Sequence, residues 1–135
     1  MASNLALAQA PRDPNGFTTD TLEQVKTHLG NGTAVLVDVR EPAEWNRGHL
    51  AVARSLPISQ LQAWLSDNQI TDAEHAEARK LIPANTIVYT HCAKGGRALI
   101  AHDLLRSLGI EARPLSAGYD TLLRAGFPKA NTPPR

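Results

Sequence analysis

The residues best able to do chemistry are the six from Cys92 to Arg97, Cys-Ala-Lys-Gly-Gly-Arg, and Cys92 is the only cysteine among 135 residues. A thiol attacks as its thiolate. Free cysteine titrates near 8.5, and a helix N-terminus or neighbouring cations lower that to about 3.5–7.5. The sequence supplies both influences. Lys94 and Arg97 share the loop, and Gly95 and Gly96 let the backbone curl so that its N–H groups converge. The expected species at neutral pH is therefore a thiolate, with donors around it to stabilise negative charge on whatever atom becomes attached. A free cysteine can also be a small buried hydrophobe. Its place between a strand and a glycine turn favours the reactive role.

Other chemistry-bearing residues read as structural. His91 adjoins Cys92, but adjacent strand residues point to opposite faces, so a Cys–His dyad is not expected. His102 lies ten residues beyond Cys92 on the following helix and is expected to face solvent. The five histidines show no ligand spacing tied to a carboxylate cluster, and neither a metal nor a cofactor is expected. Asp38 and Arg40 are expected on opposite sides of a strand end. His49 reads as structural, and Trp45, Trp64 and Tyr119 as packing residues, with Tyr119 able to wall a pocket.

These residues need a frame to hold them. Thr86-Ile87-Val88-Tyr89-Thr90 predicts a strand before Cys92, and Ala98, Ala101, Leu104, Leu105 and Leu108 recur at helical spacing after it, with Gly109 as the stop. Upstream, Ala34 to Val39 is a nearly continuous apolar run, as in a strand covered on both faces. Pro42 opens a short helix to Arg47, stopped by Gly48. Capping boxes are read at Asp20-Thr21-Leu22-Glu23, Ser59-Gln60-Leu61-Gln62 and Thr71-Asp72-Ala73-Glu74. They predict helices over residues 20–29, from 59 onward, and over 71–81, the last on the surface. Strands are predicted over 51–56 and 111–115, and a last helix over 119–125. The fold class is α/β, a central parallel sheet flanked by helices on both faces. Residues 1–16 are expected to be a flexible arm, 17–128 the domain and 129–135 a flexible tail.

Composition excludes several classes. With 42% hydrophobic and 20% charged residues the chain is of ordinary globular type. A formal charge of +1 argues against a nucleic-acid surface. One cysteine allows no intrachain disulfide, and that usage suits a reducing compartment. No apolar run approaches the roughly 20 residues of a membrane span, and the first ten residues lack the positive region of a signal peptide. A cytoplasmic protein without membrane partners is expected.

The motifs together carry a resemblance. Cys92 to Arg97 is similar to the Cys-x-x-Gly-x-Arg active loop of rhodanese-like sulfurtransferases. Val37-Asp38-Val39-Arg40-Glu41-Pro42 resembles the family's first signature, and Gly48-His49-Leu50 its Gly-His-Ile segment. Gly118-Tyr119 and Gly126-Phe127-Pro128 resemble its closing segments. The resemblance implies a single-domain sulfurtransferase in which Cys92 takes a sulfane sulfur from a small-molecule donor such as thiosulfate to form a persulfide, whose outer sulfur cyanide or a thiol then removes. It implies that Ala93, Lys94, Gly95, Gly96 and Arg97 hold the substrate, with Lys94 favouring thiosulfate and Arg97 bracing the loop or attracting the anion. Asp38 and Arg40 are implied to form structural ion pairs.

Ala93-Lys94, Ala98 and Ala51-Val52 depart from the commoner family residues, Arg-Ser, Ser and Pro-Gly. Donor preference is where these departures matter. Phosphatases and arsenate reductases of similar fold carry a loop one residue longer, which holds a tetrahedral oxyanion; four residues between Cys92 and Arg97 favour a single sulfur instead. The alternative within the family is a relay or binding module, loaded by a protein partner and turning over small donors poorly.

Overall fold

The computed structural model describes residues 10–65 and 71–131. In chain order the elements are α1 (Leu22–Gly30), β1 (Ala34–Asp38), α2 (Pro42–Arg47), β2 (Ala53–Ser55), α3 (Ile58–Leu65), α4 (Asp72–Leu81), β3 (Ile87–His91), α5 (Gly96–Ser107), β4 (Ala112–Pro114) and α6 (Tyr119–Arg124). The four strands form one sheet in the order β2-β1-β3-β4, every pair parallel. The predicted α/β class with helices on both faces is the observed one.

Side-chain alternation on the two central strands builds two cores. Val35, Val37 and Val88 join Leu61, Trp64, Ala98, Ala101 and Leu105 beneath α3, α4 and α5. Ala34, Leu36 and Tyr89 join Val25, Leu115 and Leu122 beneath α1 and α6. That two-sided cover is why β1 reads as an unbroken apolar run, every residue of it buried. Leu36 is 0% exposed, and truncation at such a position costs about 2–5 kcal/mol.

The topology also fixes where a site can form. From β1 the chain runs outward to β2 on one side, and from β3 to β4 on the other, so the segments leaving β1 and β3 diverge at adjacent carboxyl ends. Such a point opens a crevice in parallel sheets. Asp38 is in register with His91, and the Val39 N–H donates to the His91 carbonyl at 3.0 Å. Residues 39–48 and 92–97 therefore emerge side by side.

Several boundaries differ from the sequence expectations. The first capping box is shifted by one residue: Thr21 is the N-cap of α1, its hydroxyl accepting from Gln24 N–H while the Gln24 side chain accepts from Thr21 N–H. Asp20 instead accepts from the Tyr89 hydroxyl and from Arg113, which makes it a tertiary anchor. The box at Thr71 is formed with Glu74 as expected. The one at Ser59 is not, because α3 starts at Ile58 and Ser59 donates its hydroxyl to Glu41. The strands of residues 51–56 and 111–115 shorten to three residues each.

Residues 10–16, expected as part of an arm, are folded. Arg12 Nε donates to the Gly16 carbonyl at 2.7 Å, the Asp13 carboxylate accepts from the N–H groups of Asn15 and Phe17, and Thr18 N–H reaches the Pro114 carbonyl. Expectations for residues 1–9 and 132–135 lie outside the described residues. At the tail, Lys129 bridges to Leu50 and Ala130 N–H donates to the His49 carbonyl, so residues 129 and 130 are docked as well.

Candidate active site

Cys92 is the first residue after β3, and the backbone around it is fixed from three directions. Its carbonyl accepts from Tyr119 N–H at 3.0 Å, which ties the loop to the start of α6. Gly118, just before, lies so close that a Cβ there would sit 1.8 Å from the Ala93 carbonyl oxygen, so only glycine fits. On the other side the Thr90 hydroxyl donates to the Ala98 carbonyl at 2.9 Å, seating the first turn of α5 on β3. Ala98 and Ala101, both 0% exposed, have no bulk to hold the helix away.

The loop curls because Gly95 adopts φ +106°, a left-handed conformation that residues with a Cβ avoid. The curl brings the Gly95 N–H to the Cys92 Sγ at 2.9 Å. Gly95 is also the N-cap of the 12-residue α5 and offers no side chain to cap it. The first N–H groups of a helix have no partner within it, and its dipole places partial positive charge there. Sγ thus sits against the Gly95 N–H at the N-terminal end of α5. Cys92 itself is 1% exposed.

The other expected site residues separate into distinct environments. Ala93, Lys94 and Gly96 are exposed, Gly95 is buried, and Arg97 is partly buried. Arg97 donates Nη1 to Glu44 Oε1 at 2.6 Å and Nη2 to Oε2 at 2.9 Å. Glu44 Oε1 also accepts from Glu41 N–H at 3.0 Å. The Arg97 hydrogen bonds, partly opposed by burial and helped by Glu41 N–H and the charges of Arg97 and Arg40, hold the Glu44 carboxyl down at about 2. Arg97 therefore ties the loop to α2 through a fixed anion.

Asp38 and Arg40 do not face opposite sides. The strand ends at Asp38 and the chain turns, so Arg40 Nε reaches both Asp38 oxygens at 3.0 Å and Nη2 reaches Oδ2 at 2.8 Å. Nη2 also donates to the Gly48 carbonyl at 2.7 Å, and the guanidinium lies 4.2 Å from the Tyr119 ring centroid. This buried pair clamps the β1 exit to the Gly48 turn and to α6. Trp45 stacks on His49 at 3.6 Å between ring centroids, on the same turn.

His91 points to the face opposite Cys92, with Nε2 3.7 Å from Asp38 Oδ2. It is 0% exposed, and burial outweighs the attraction of Asp38 to push its pKa below the ordinary histidine value. His102 does not face solvent as expected. It is 2% exposed, in a groove between the N-terminal turn, α5 and β4. The ten-residue offset from Cys92 gave no measure of which side of α5 the N-terminal turn covers.

Two contributors escaped the sequence reading. Glu44 belonged to a recognised charged group after β1, but nothing in the spacing paired it with Arg97, 53 positions away. Phe17 packs its ring edge onto the loop, its Cζ 3.0 Å from where a Gly95 Cβ would stand. No periodic pattern surrounds Phe17 that could have flagged it.

A cysteine at the base of a donor-lined loop on a parallel sheet with this order defines a class, and comparison with known proteins names it. A family model for the rhodanese-like domain matches residues 21–125. The chain belongs to that family. It is similar to the structure of the human single-domain sulfurtransferase TSTD1, with TM-score 0.65 and 30% identity, covering 78% of this chain and 95% of that one. Among curated sequences, the uncharacterized protein YqhL of Bacillus subtilis is 32% identical over 100 residues, 73% of this chain and 68% of that protein. The Schizosaccharomyces pombe protein named "Putative thiosulfate sulfurtransferase, mitochondrial" is 31% identical over 86 residues, 62% of this chain. The chain spans 58% of the length of that fission-yeast relative. Among the described residues no helix is long and apolar enough to cross a membrane.

Proposed function

We propose that the protein is a sulfurtransferase that carries a sulfane sulfur on Cys92 from an anionic donor such as thiosulfate to cyanide or a thiol. The observation that carries this reading is the six-residue loop whose Gly95 N–H meets Sγ at 2.9 Å at the start of α5. A loop that turns a backbone N–H onto Sγ at a helix start supports a role in stabilising negative charge on one sulfur added there. The fission-yeast and human relatives, both named for sulfur transfer, support the same reading.

In the first half-reaction the Cys92 thiolate attacks the outer sulfur of thiosulfate. A Cys92 S–S bond forms, the bond to the sulfonate sulfur breaks, and sulfite leaves with the electron pair. The terminal sulfur now carries the negative charge, and the N–H groups of residues 93–97 are the donors available to stabilise it. In the second half-reaction cyanide attacks that sulfur, the S–S bond breaks, and thiocyanate departs as the Cys92 thiolate is regenerated. Lys94, exposed beside Cys92, meets the donor's charge. No nucleic acid, membrane or cofactor enters the scheme.

Intact-protein mass spectrometry after thiosulfate exposure tests the first half: a gain of one sulfur atom on wild type and none on Cys92→Ser is expected. Thiocyanate release on adding cyanide tests the second. Loading without release would turn the reading toward a relay module served by a protein acceptor. Loading of the Cys92→Ser variant equal to wild type would overturn it.

A further inference from the structure

We infer that Glu44 sets the charge selectivity of the Cys92 loop: by engaging both ends of the Arg97 guanidinium it cancels that cation at the site, and leaves Lys94 and the backbone donors to attract anions. The sequence places two cations in the loop, and the structure leaves one of them uncompensated. Arg97 sets both terminal nitrogens on the two Glu44 oxygens, at 2.6 and 2.9 Å. Lys94 is exposed and makes no ion pair among the described residues.

Glu44 is built to stay where it is. Oε1 also receives Glu41 N–H, and the Glu41 carboxylate in turn accepts from the Ser59 hydroxyl at 2.6 Å and the Ser59 N–H at 3.2 Å. The anion is thus anchored through α2 to the start of α3. The side chains of Arg97 and Glu44 remain 32% and 24% exposed, so their charges act on solutes approaching the loop. A bidentate pair in that position is a positioning device for Arg97 and, at the same time, the reason Arg97 adds little to the field felt by an incoming anion.

A brace alone and a charge-setting role predict different results for Glu44→Gln. The amide's one oxygen, at the Oε1 position, can still accept from Glu41 N–H and Arg97 Nη1, while its NH2 group takes the place of the oxygen that accepts from Nη2 and the charge is gone. Alkylation of Cys92 in the full chain by iodoacetate, an anion, and by iodoacetamide, its neutral counterpart, reads the difference as a ratio of rates. The ratio is expected to rise about threefold in Glu44→Gln at low ionic strength, the effect of one unit charge acting across several ångströms of largely aqueous medium. It returns toward the wild-type ratio near 1 M salt, where the Debye length is about 3 Å. Glu44→Asp, which keeps the charge but shortens the reach, does not raise it. A companion readout is a fall in KM for thiosulfate relative to kcat.

Equal changes in both alkylation rates would overturn the inference and leave Glu44 as a brace. So would failure of iodoacetate to label Cys92, since anions would then not reach the sulfur. The inference rests on the sulfur-transfer reading for its substrate, but the two fail separately. A shifted ratio in a protein without thiosulfate loading sinks only the sulfur-transfer reading, and a flat ratio in a competent sulfurtransferase sinks only this one.

Discussion

Arg97, the last residue of the Cys92 loop, grips Glu44, the third residue of α2, with both terminal guanidinium nitrogens at 2.6 and 2.9 Å. The contact joins the chain leaving β3 to the chain leaving β1 at the point where the two diverge. Loop geometry and sheet topology are therefore coupled through one ion pair at the surface of the crevice.

That pair gives the fold an acid dependence. Glu44 is held at about 2 in the folded chain against an ordinary value of 4.5. Between those limits the unfolded state binds more protons than the folded state, so stability falls as pH falls through this window. Above it the contribution is fully present. Urea midpoints of wild type and Glu44→Gln measured from pH 6 to 2.5 should differ most at the upper end and converge at the lower. A difference constant across the range would show that the charge of Glu44 is not what stabilises the loop.

A second pH effect comes from His91. Burial holds its folded pKa below the ordinary 6.5, so the folded state keeps it neutral while the unfolded state takes up a proton. Stability is then full above about 6.5 and declines as pH drops toward the depressed value, by up to about 1.4 kcal/mol per pH unit for one histidine. Burial lowers His102 in the same direction. The slope of unfolding free energy between pH 7.5 and 5.5 should be shallower in His91→Gln than in wild type, whatever its absolute stability. Identical slopes would mean that His91 takes up its proton alike in the folded and unfolded states.

Gly118→Ala should cripple the site through the backbone. A Cβ there meets the Ala93 carbonyl carbon at 2.6 Å and its oxygen at 1.8 Å, and neither atom is a flexible side-chain end. Relief requires Ala93 to move, and Ala93 adjoins Cys92. Overpacking usually costs about 1–3 kcal/mol, and the rigidity of a carbonyl places this case at the upper end or beyond. A thermal midpoint within one degree of wild type together with normal Cys92 loading would contradict the geometry.

What was legible in the sequence follows from the range of the forces involved. The unbroken apolar run of β1 announced a strand covered on both sides, and the glycine pair after β3 announced a turn into a helix; both are local patterns. The exit of β1 was not local. Asp38 and Arg40 are expected from the sequence on opposite sides of the strand end, whereas the strand stops at Asp38 and the pair closes across the turn. His102 looked exposed because the covering turn at residues 12–18 is irregular and has no periodicity to betray it. Thr21 displaced Asp20 as the helix cap because Asp20 is claimed by Tyr89 and Arg113, 69 and 93 positions away. Glu44 and Phe17 complete the site from elements whose placement only the assembled sheet determines.

On the proposed sulfur-transfer reading Lys94 is the loop cation left to meet the donor's charge once Arg97 is engaged, and its removal should show in binding rather than in chemistry. Lys94 is exposed and is not the group that meets Sγ, so on that reading it would meet the donor from solvent in the ground state as much as in the transition state. An interaction of that kind raises KM when lost and spares kcat. Lys94→Ala should therefore raise the KM for thiosulfate several-fold, with the increase shrinking as salt screens the charge. In Lys94→Ala/Glu44→Gln part of the loss should return, because Arg97 is then no longer cancelled. Steady-state kinetics of the two single variants, the double variant and wild type at two ionic strengths measure this directly. A Lys94→Ala enzyme with unchanged KM, or with a lowered kcat and no change in KM, would remove Lys94 from donor recognition and give its place to the loop N–H groups alone.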